Sequence, residues 1–380
     1  MRSRHVVITL FVVVTAACAT PSPAPSPAPS PAPSPAPMPA PSPAAPLHDD
    51  VPAEPAAGAP QTWKEALERY GSTCPVPLFT LGHPESVSAG GRTFTLEGST
   101  LILKGDRWQG PLKFGVLGAV KDADDDTRQN MKKAADAFQK AGVNFVIANG
   151  DLTSTESSVI VAVVQMLGEE FDMPVFAHSG NYEWTSAFTQ AFAEGAAQWP
   201  HLFNMNIVRD VDFGGIHLLS LPGYFNRRFL QSGACHYADS DVDALKRHAQ
   251  ELGARGEIVV LSSHGPPLGT GKFALDLTHD GVNVGDEQLN LLLSDANISF
   301  GIFSHILESG GRAVDDVAGL SPVPMPMKNS RQRLYVNAGA ASSFGWGMLG
   351  GKTSRGMAAI FTVTASTAAA EGRVEFIDLH

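Results

Sequence analysis

Four polar side chains stand just past short apolar runs: Asp151 in Asn-Gly-Asp-Leu, Asn181 in Ser-Gly-Asn-Tyr-Glu, His264 in Ser-Ser-His-Gly-Pro-Pro and His305 in Phe-Ser-His-Ile-Leu. A carboxylate, an amide and two imidazoles offer two oxygens and two nitrogens, a donor set suited to zinc, iron or manganese. Singly, each residue has an ordinary explanation. Gly-Asp and Gly-Asn are common turn pairs, and a lone histidine after a strand is more often hydrogen-bonded than metal-bound. The four become chemically interesting only if the fold gathers them.

The pattern of elements could do that. Residues 145–148 form a continuous apolar run, too short for a helix and bounded by turn formers, as expected of a strand covered on both faces. Asp151 follows at its carboxyl end, where open α/β sheets place ligand crevices, and Gly150 lets backbone come close to whatever Asp151 holds. From Pro111 onward, strands over 114–117, 145–148, 174–177, 216–221, 258–262 and 298–303 alternate with helices over 127–140, 157–167, 185–198, 241–252 and 286–293. The tail returns to strands at 334–337, 358–363 and 374–377 without helices. Alternation followed by a β-rich end predicts a layered α/β fold with a second sheet. Ahead of it, residues 61–110 read as a small β-rich lead-in. It comprises a short amphipathic helix over 62–70 and a hairpin of 92–96 with 100–103 around Glu97-Gly98-Ser99.

The first 60 residues are of another kind. Arg2 and Arg4 precede the apolar run 6–14, and small residues lead into Cys18. A basic tip, a short apolar core and small residues describe a secretory signal over 1–17, and the approach to Cys18 resembles a bacterial lipoprotein box with Cys18 as the lipidated residue. The alternative is an ordinary signal cleaved nearby. Residues 18–60 then form a tether, dominated by a Pro-Ser-Pro-Ala repeat over 21–46 that favours polyproline II. At about 3.1 Å per residue the repeat could reach roughly 80 Å. No run of about 18 apolar residues occurs, so the membrane would be met through the lipid alone. The expected location is the bacterial cell envelope.

Charge and cysteines fit an exported chain. The formal charge of −11 becomes −13 once Arg2 and Arg4 are removed with residues 1–17. That balance, with no basic stripe, argues against nucleic-acid binding. With Cys18 assigned to the lipid, Cys74 and Cys235 remain, either as a disulfide or as two buried thiols.

Taken together and in this order, the four motifs resemble the calcineurin-like metallophosphoesterase family over about residues 111–380. The resemblance implies a four-layer α/β/β/α sandwich and a phosphate ester as substrate or ligand. Its members build two adjacent metal sites from five blocks: Asp-x-His, Gly-Asp, Gly-Asn-His-Asp/Glu, a His usually before a Pro-containing turn, and Gly-His-x-His. By that resemblance Asp151 is the bridging carboxylate, and Asn181, His264 and His305 complete the second site.

The remaining blocks depart from the pattern. Ala119-Val120-Lys121 stands where Asp-x-His is expected, Leu307 where the last His is expected, and Tyr182 where the third block carries His. The ligands exclusive to the first metal are thus missing and those of the second all remain, which implies one transition metal rather than two. Lys121 falls where a metal-binding His would be, and its ammonium could neutralise Asp151 in place of the lost cation. Tyr182 could donate to a phosphate oxygen or pack over the site. Among Asp122, Asp124, Asp125 and Asp126, one could replace the missing Asp; the stronger reading is a solvated loop favouring the start of the next helix. His178, His217 and His248 lack partner motifs and read as structural or surface groups. Two outcomes stay open: hydrolysis of phosphate esters at a reduced single-metal site, or a catalytically inactive relative that binds a phosphate-bearing ligand or serves as an envelope scaffold.

Overall fold

Phe145 to Ala148 is a strand whose side chains alternate between two cores, which explains why the run is apolar throughout. Phe145 and Ile147 point into a core between two sheets, and Val146 and Ala148 into a second core beneath helices. The computed structural model describes residues 58–153, 157–366 and 369–380. The signal segment, Cys18 and nearly all of the 18–60 tether lie outside the described residues.

The elements begin with α1 (Trp63–Tyr70), β1 (Glu85–Ala89), β2 (Arg92–Leu96), β3 (Thr100–Leu103), β4 (Pro111–Gly118), α2 (Asp125–Ala141) and β5 (Phe145–Asn149). There follow α3 (Ser157–Glu170), β6 (Val175–His178), α4 (Thr185–Gln198), β7 (Leu202–Asn204), β8 (Asp210–Asp212), β9 (Ile216–Leu221), α5 (Asp239–Ala254) and β10 (Ile258–Ser263). The last are α6 (Glu287–Asp295), β11 (Phe300–Phe303), β12 (Arg312–Val314), β13 (Leu334–Asn337), β14 (Trp346–Gly347), β15 (Thr353–Ser354), β16 (Met357–Thr364) and β17 (Glu371–Asp378).

Two large sheets result. One has the order β17-β16-β4-β5-β6-β7, with β4 to β7 parallel; the other has the order β1-β2-β3-β8-β9-β10-β11-β13-β12. Between them lies an aromatic-rich core in which Phe114 stacks on Phe145 at 5.0 Å and Phe145 on Phe213 at 4.5 Å between centroids. Helices α2, α3 and α4 cover the outer face of the first sheet, while α5 and α6 cover that of the second. The molecule is the α/β/β/α sandwich expected from the motifs.

The tail strands complete both sheets rather than building a new one: β13 lies parallel to β11, while β16 returns antiparallel to β4 and carries β17. The lead-in hairpin likewise joins the second sheet through β3 and β8, with Leu101 opposite Val211. Helix α2 starts at Asp125, two residues earlier than its apolar period suggests. Asp124 caps it, its Oδ1 accepting from the Thr127 amide at 2.6 Å, and Asp125 and Asp126 occupy the first turn.

Candidate metal centre

Strands β5, β6, β10 and β11 all end at one rim, and the loops after them carry Asp151, Asn181, His264 and His305. Asn149, the last residue of β5, ties the two sheets at that rim. Its Nδ2 donates to Ser262 Oγ at 3.0 Å and to the Ile302 carbonyl at 3.3 Å, and its Oδ1 accepts from Ser304 Oγ at 2.7 Å. Asn337 Nδ2 holds the next loop by donating to the carbonyls of Ser304 (2.9 Å) and Ile306 (2.8 Å) on either side of His305.

The geometry around His264 settles which of its atoms faces the site. Nδ1 lies 3.1 Å from the Asn149 carbonyl. A carbonyl only accepts, so Nδ1 donates to it and Nε2 is the atom turned toward the site, the usual way a backbone oxygen orients a ligating imidazole. That Nε2 lies 3.1 Å from Asp151 Oδ1, 3.1 Å from Asn181 Oδ1 and 3.1 Å from His305 Nδ1. The Asn181 amide is fixed in this sense because its Nδ2 donates to the Phe229 carbonyl at 2.6 Å. Two oxygens and two ring nitrogens able to ligate therefore converge on one point, an arrangement that suits a cation once the imidazoles are neutral. Ligand atoms of Asp151, His264 and His305 all lie within 4.8 Å of one another. The donor set fits a transition metal held by these four residues.

Two glycines make the approach possible. A Cβ on Gly180 would come within 2.5 Å of Asp151 Oδ1 and 2.8 Å of His264 Nε2; one on Gly150, whose φ is +70°, would come within 2.5 Å of His264 Nδ1. Buried Glu183 braces both loops, accepting from the Thr153 amide at 2.9 Å and the Gly180 amide at 2.7 Å. Burial, with Asp151 adding, raises its carboxyl above the usual range. For Asp151 burial acts in the same upward sense, yet His264 and Lys121 together hold it well below that range. Burial, with His264 beside it, pushes His305 down to about 3 and keeps it neutral.

The other face of Asp151 meets Lys121, whose Nζ forms an ion pair with Oδ2 and lies 4.2 Å from the centre of the Tyr182 ring. Ala119, Lys121 and Asp151 all adopt left-handed backbone, with φ of +40°, +68° and +54°, a sparsely populated region for such residues. Ala119 and Leu307, at positions where the resemblance expects metal ligands, pack with Ala340 in a small buried apolar cluster. Of the acidic run, Asp124 is committed to the helix cap, and Asp122 accepts from Ser342 Oγ at 3.3 Å. None of the run joins the group of converging ligands among the described residues.

Several residues of the site carried no signal in the sequence. The Tyr224 ring packs on His305 at 4.1 Å between centroids, and its loop has no periodicity to read. Arg228, Phe229, Phe344 and Trp346 line the same cleft, which encloses about 670 Å³. Cys74 and Cys235 are joined in a disulfide. His178 is buried against Asn149 and Ser262, while His217 and His248 both bond Asp210.

A family model described as calcineurin-like phosphoesterase matches residues 114–309, more than half of the chain. The chain belongs to that family. One solved crystal structure is similar at TM-score 0.51 and 14% identity, over 71% of this chain and 100% of the other; at that identity the likeness bears on fold alone. A dimetal phosphatase from Danio rerio is similar at TM-score 0.45 and 12% identity, over 71% and 99% of the two chains. GAP50, the anchor in the inner membrane complex of Plasmodium, gives 0.47 and 13%, over 71% and 85%. No curated protein sequence matches significantly.

Proposed function

We propose that this protein is a cell-envelope phosphoesterase that acts on phosphate esters at a single-metal centre held by Asp151, Asn181, His264 and His305. The observation that supports the reading is the convergence of Asp151 Oδ1, Asn181 Oδ1 and His305 Nδ1 on His264 Nε2, each 3.1 Å from it. A metal bound there supplies Lewis-acid polarisation of a phosphoryl oxygen. The chain's own residues do the rest. Lys121 keeps the second oxygen of Asp151 occupied and adds positive charge beside the bound phosphate. Arg228 and Tyr182, in the same cleft, are placed to reach phosphate oxygens.

A specific observation favours binding without turnover as the second reading. Lys121 and the Ala119–Leu307–Ala340 cluster take up the side of Asp151 where relatives with two metals hold the other ion, so the two-ion clamp on attacking and leaving oxygens is lost. Export is proposed from the N-terminal pattern, and the Cys74–Cys235 disulfide supports it, since such bonds persist in oxidising compartments.

The test is elemental analysis of the purified protein after incubation with zinc, manganese or iron, alongside turnover of an aryl phosphate and a bis-aryl phosphate. One metal per chain, lost in His264→Ala, with turnover lost in the same variant, is the expected result. One metal without turnover would leave the binding reading. Two metals per chain would mean that the acidic loop supplies ligands, and none would remove the centre altogether.

A further inference from the structure

The cleft beside the metal centre has walls unlike the rest of the surface. Four large aromatic side chains are exposed among the described residues: Trp184, Phe229, Phe344 and Trp346. Three of them, Phe229 (51% exposed), Phe344 (64%) and Trp346 (45%), line this one cleft. Scattered apolar side chains on a surface are ordinary, whereas several gathered at a concave site mark a place where something apolar is bound.

These aromatics are also held in place. Phe229 ends a short 3-10 turn, Arg227–Phe229, that Asn226 caps through the Arg228 amide at 3.1 Å; the Phe229 carbonyl accepts from the ligand Asn181. On the other segment, Ser342 Oγ accepts from the Phe344 amide at 2.9 Å, and β14, which contains Trp346, pairs with β15. Beyond β14 the Leu349 amide donates to the Glu308 carbonyl at 2.8 Å, joining the segment to the loop that follows His305. Both walls are therefore tied to the loops that carry metal ligands, so little ordering is needed when a ligand enters.

We propose that Phe229, Phe344 and Trp346 form a subsite for a flat aromatic group carried on the phosphorus, making esters of aromatic alcohols the substrate class. This rests on the phosphate-centre reading above. Lys121 and Arg228 meet the anionic end, while the aromatic walls offer stacking faces to the organic end. A small hydrophilic alcohol would leave those faces wet and gain nothing from them.

The test uses two phosphonates that share the anionic group and do not hydrolyse, naphthylmethylphosphonate and methylphosphonate, titrated calorimetrically into manganese-loaded protein together with inorganic phosphate. The aromatic ligand is expected to bind about tenfold tighter than methylphosphonate, the order expected of one or two stacked contacts. In the Phe344→Ala, Trp346→Ala double variant the ratio should fall to within roughly twofold. Equal affinities in the unaltered protein, or a ratio that survives in the folded double variant, would overturn the subsite and leave the phosphate centre standing. If none of the three ligands binds, the phosphate-centre reading falls and takes the subsite with it.

Discussion

Lys121 reaches Asp151 from a left-handed backbone held by its own amide, which donates to the Asp151 carbonyl at 3.0 Å. The ammonium and the carboxylate are both largely buried, at 16% and 3% side-chain exposure. Removing one partner of such a pair costs more than the pair contributes, because the other charge is left without compensation. Lys121→Met should therefore destabilise the metal-free protein by about 3 kcal/mol. A metal on Asp151 would compensate the same carboxylate, so the deficit should shrink when metal is added. Urea unfolding with chelator and with manganese measures both numbers. An unchanged midpoint in chelator would show that the ion pair is not holding Asp151, and a deficit blind to metal would detach Asp151 from the centre. Position 121 was legible as a cation beside Asp151, since the order of motifs placed it at the end of β4. Glu183 stood in the Gly-Asn-Tyr-Glu motif, but its bracing role was not legible, because its partners are backbone amides.

At the scale of elements, the long strands and helices follow from apolar runs and periods because each is decided by its own core face. Of the strands that escaped, β7, β8, β12, β14 and β15 are two or three residues long and exist through non-local pairing, while β1 is a five-residue strand, Glu-Ser-Val-Ser-Ala, with little apolar signal that pairs with β2. The same holds for the polar ties across the sheets. His178, at the end of β6, receives a hydrogen bond on Nε2 from Asn149 Nδ2 at 3.3 Å and lies 2.9 Å from Ser262 Oγ of β10. Its Nδ1 lies 3.1 Å from the Ser179 carbonyl, so the ring is neutral with the proton on Nδ1. A second proton would face the Asn149 donor inside a dry core, and burial holds the pKa down to about 3. In the unfolded chain it is about 6.5. The folded value is the lower one, so this histidine's contribution is complete above about pH 6.5 and is lost as pH falls toward 3. Relative to His178→Gln, the protein should lose about 2 kcal/mol between pH 7.5 and pH 5. Parallel denaturation of the two proteins across that range cancels the other histidines. Curves that stay parallel would mean that His178 takes up its proton without cost.

Over the whole molecule, the centre depends on a loop that belongs to neither large sheet and contains only the short 3-10 turn Arg227–Phe229. Residues 222–236 bring Tyr224 against His305 and the Phe229 carbonyl against Asn181, and in the middle of the loop the Gln231 amide donates to the Asn181 carbonyl at 2.9 Å and the Thr185 amide to the Gly233 carbonyl at 2.9 Å. At one end the Gly223 amide donates to the Ser179 carbonyl at 2.9 Å and the Tyr224 amide to the Cys235 carbonyl at 3.1 Å. At the other, Cys235 is bonded to Cys74, 161 positions earlier, in the lead-in. Closing so long a stretch of chain is worth about 5 kcal/mol in the chain-entropy limit and roughly 2–4 kcal/mol in practice. The bond therefore contributes twice, to global stability and to the placement of Asn181. Replacing both cysteines by serine should lower stability by about 3 kcal/mol and weaken metal binding while the sheets remain intact. Hydrogen exchange would then rise most at residues 224–235, with β5 and β10 still protected at low temperature. A double variant that loses stability yet binds metal with unchanged affinity would mean that Asn181 is held by its own strand, and that the loop contributes only the aromatic wall of the cleft.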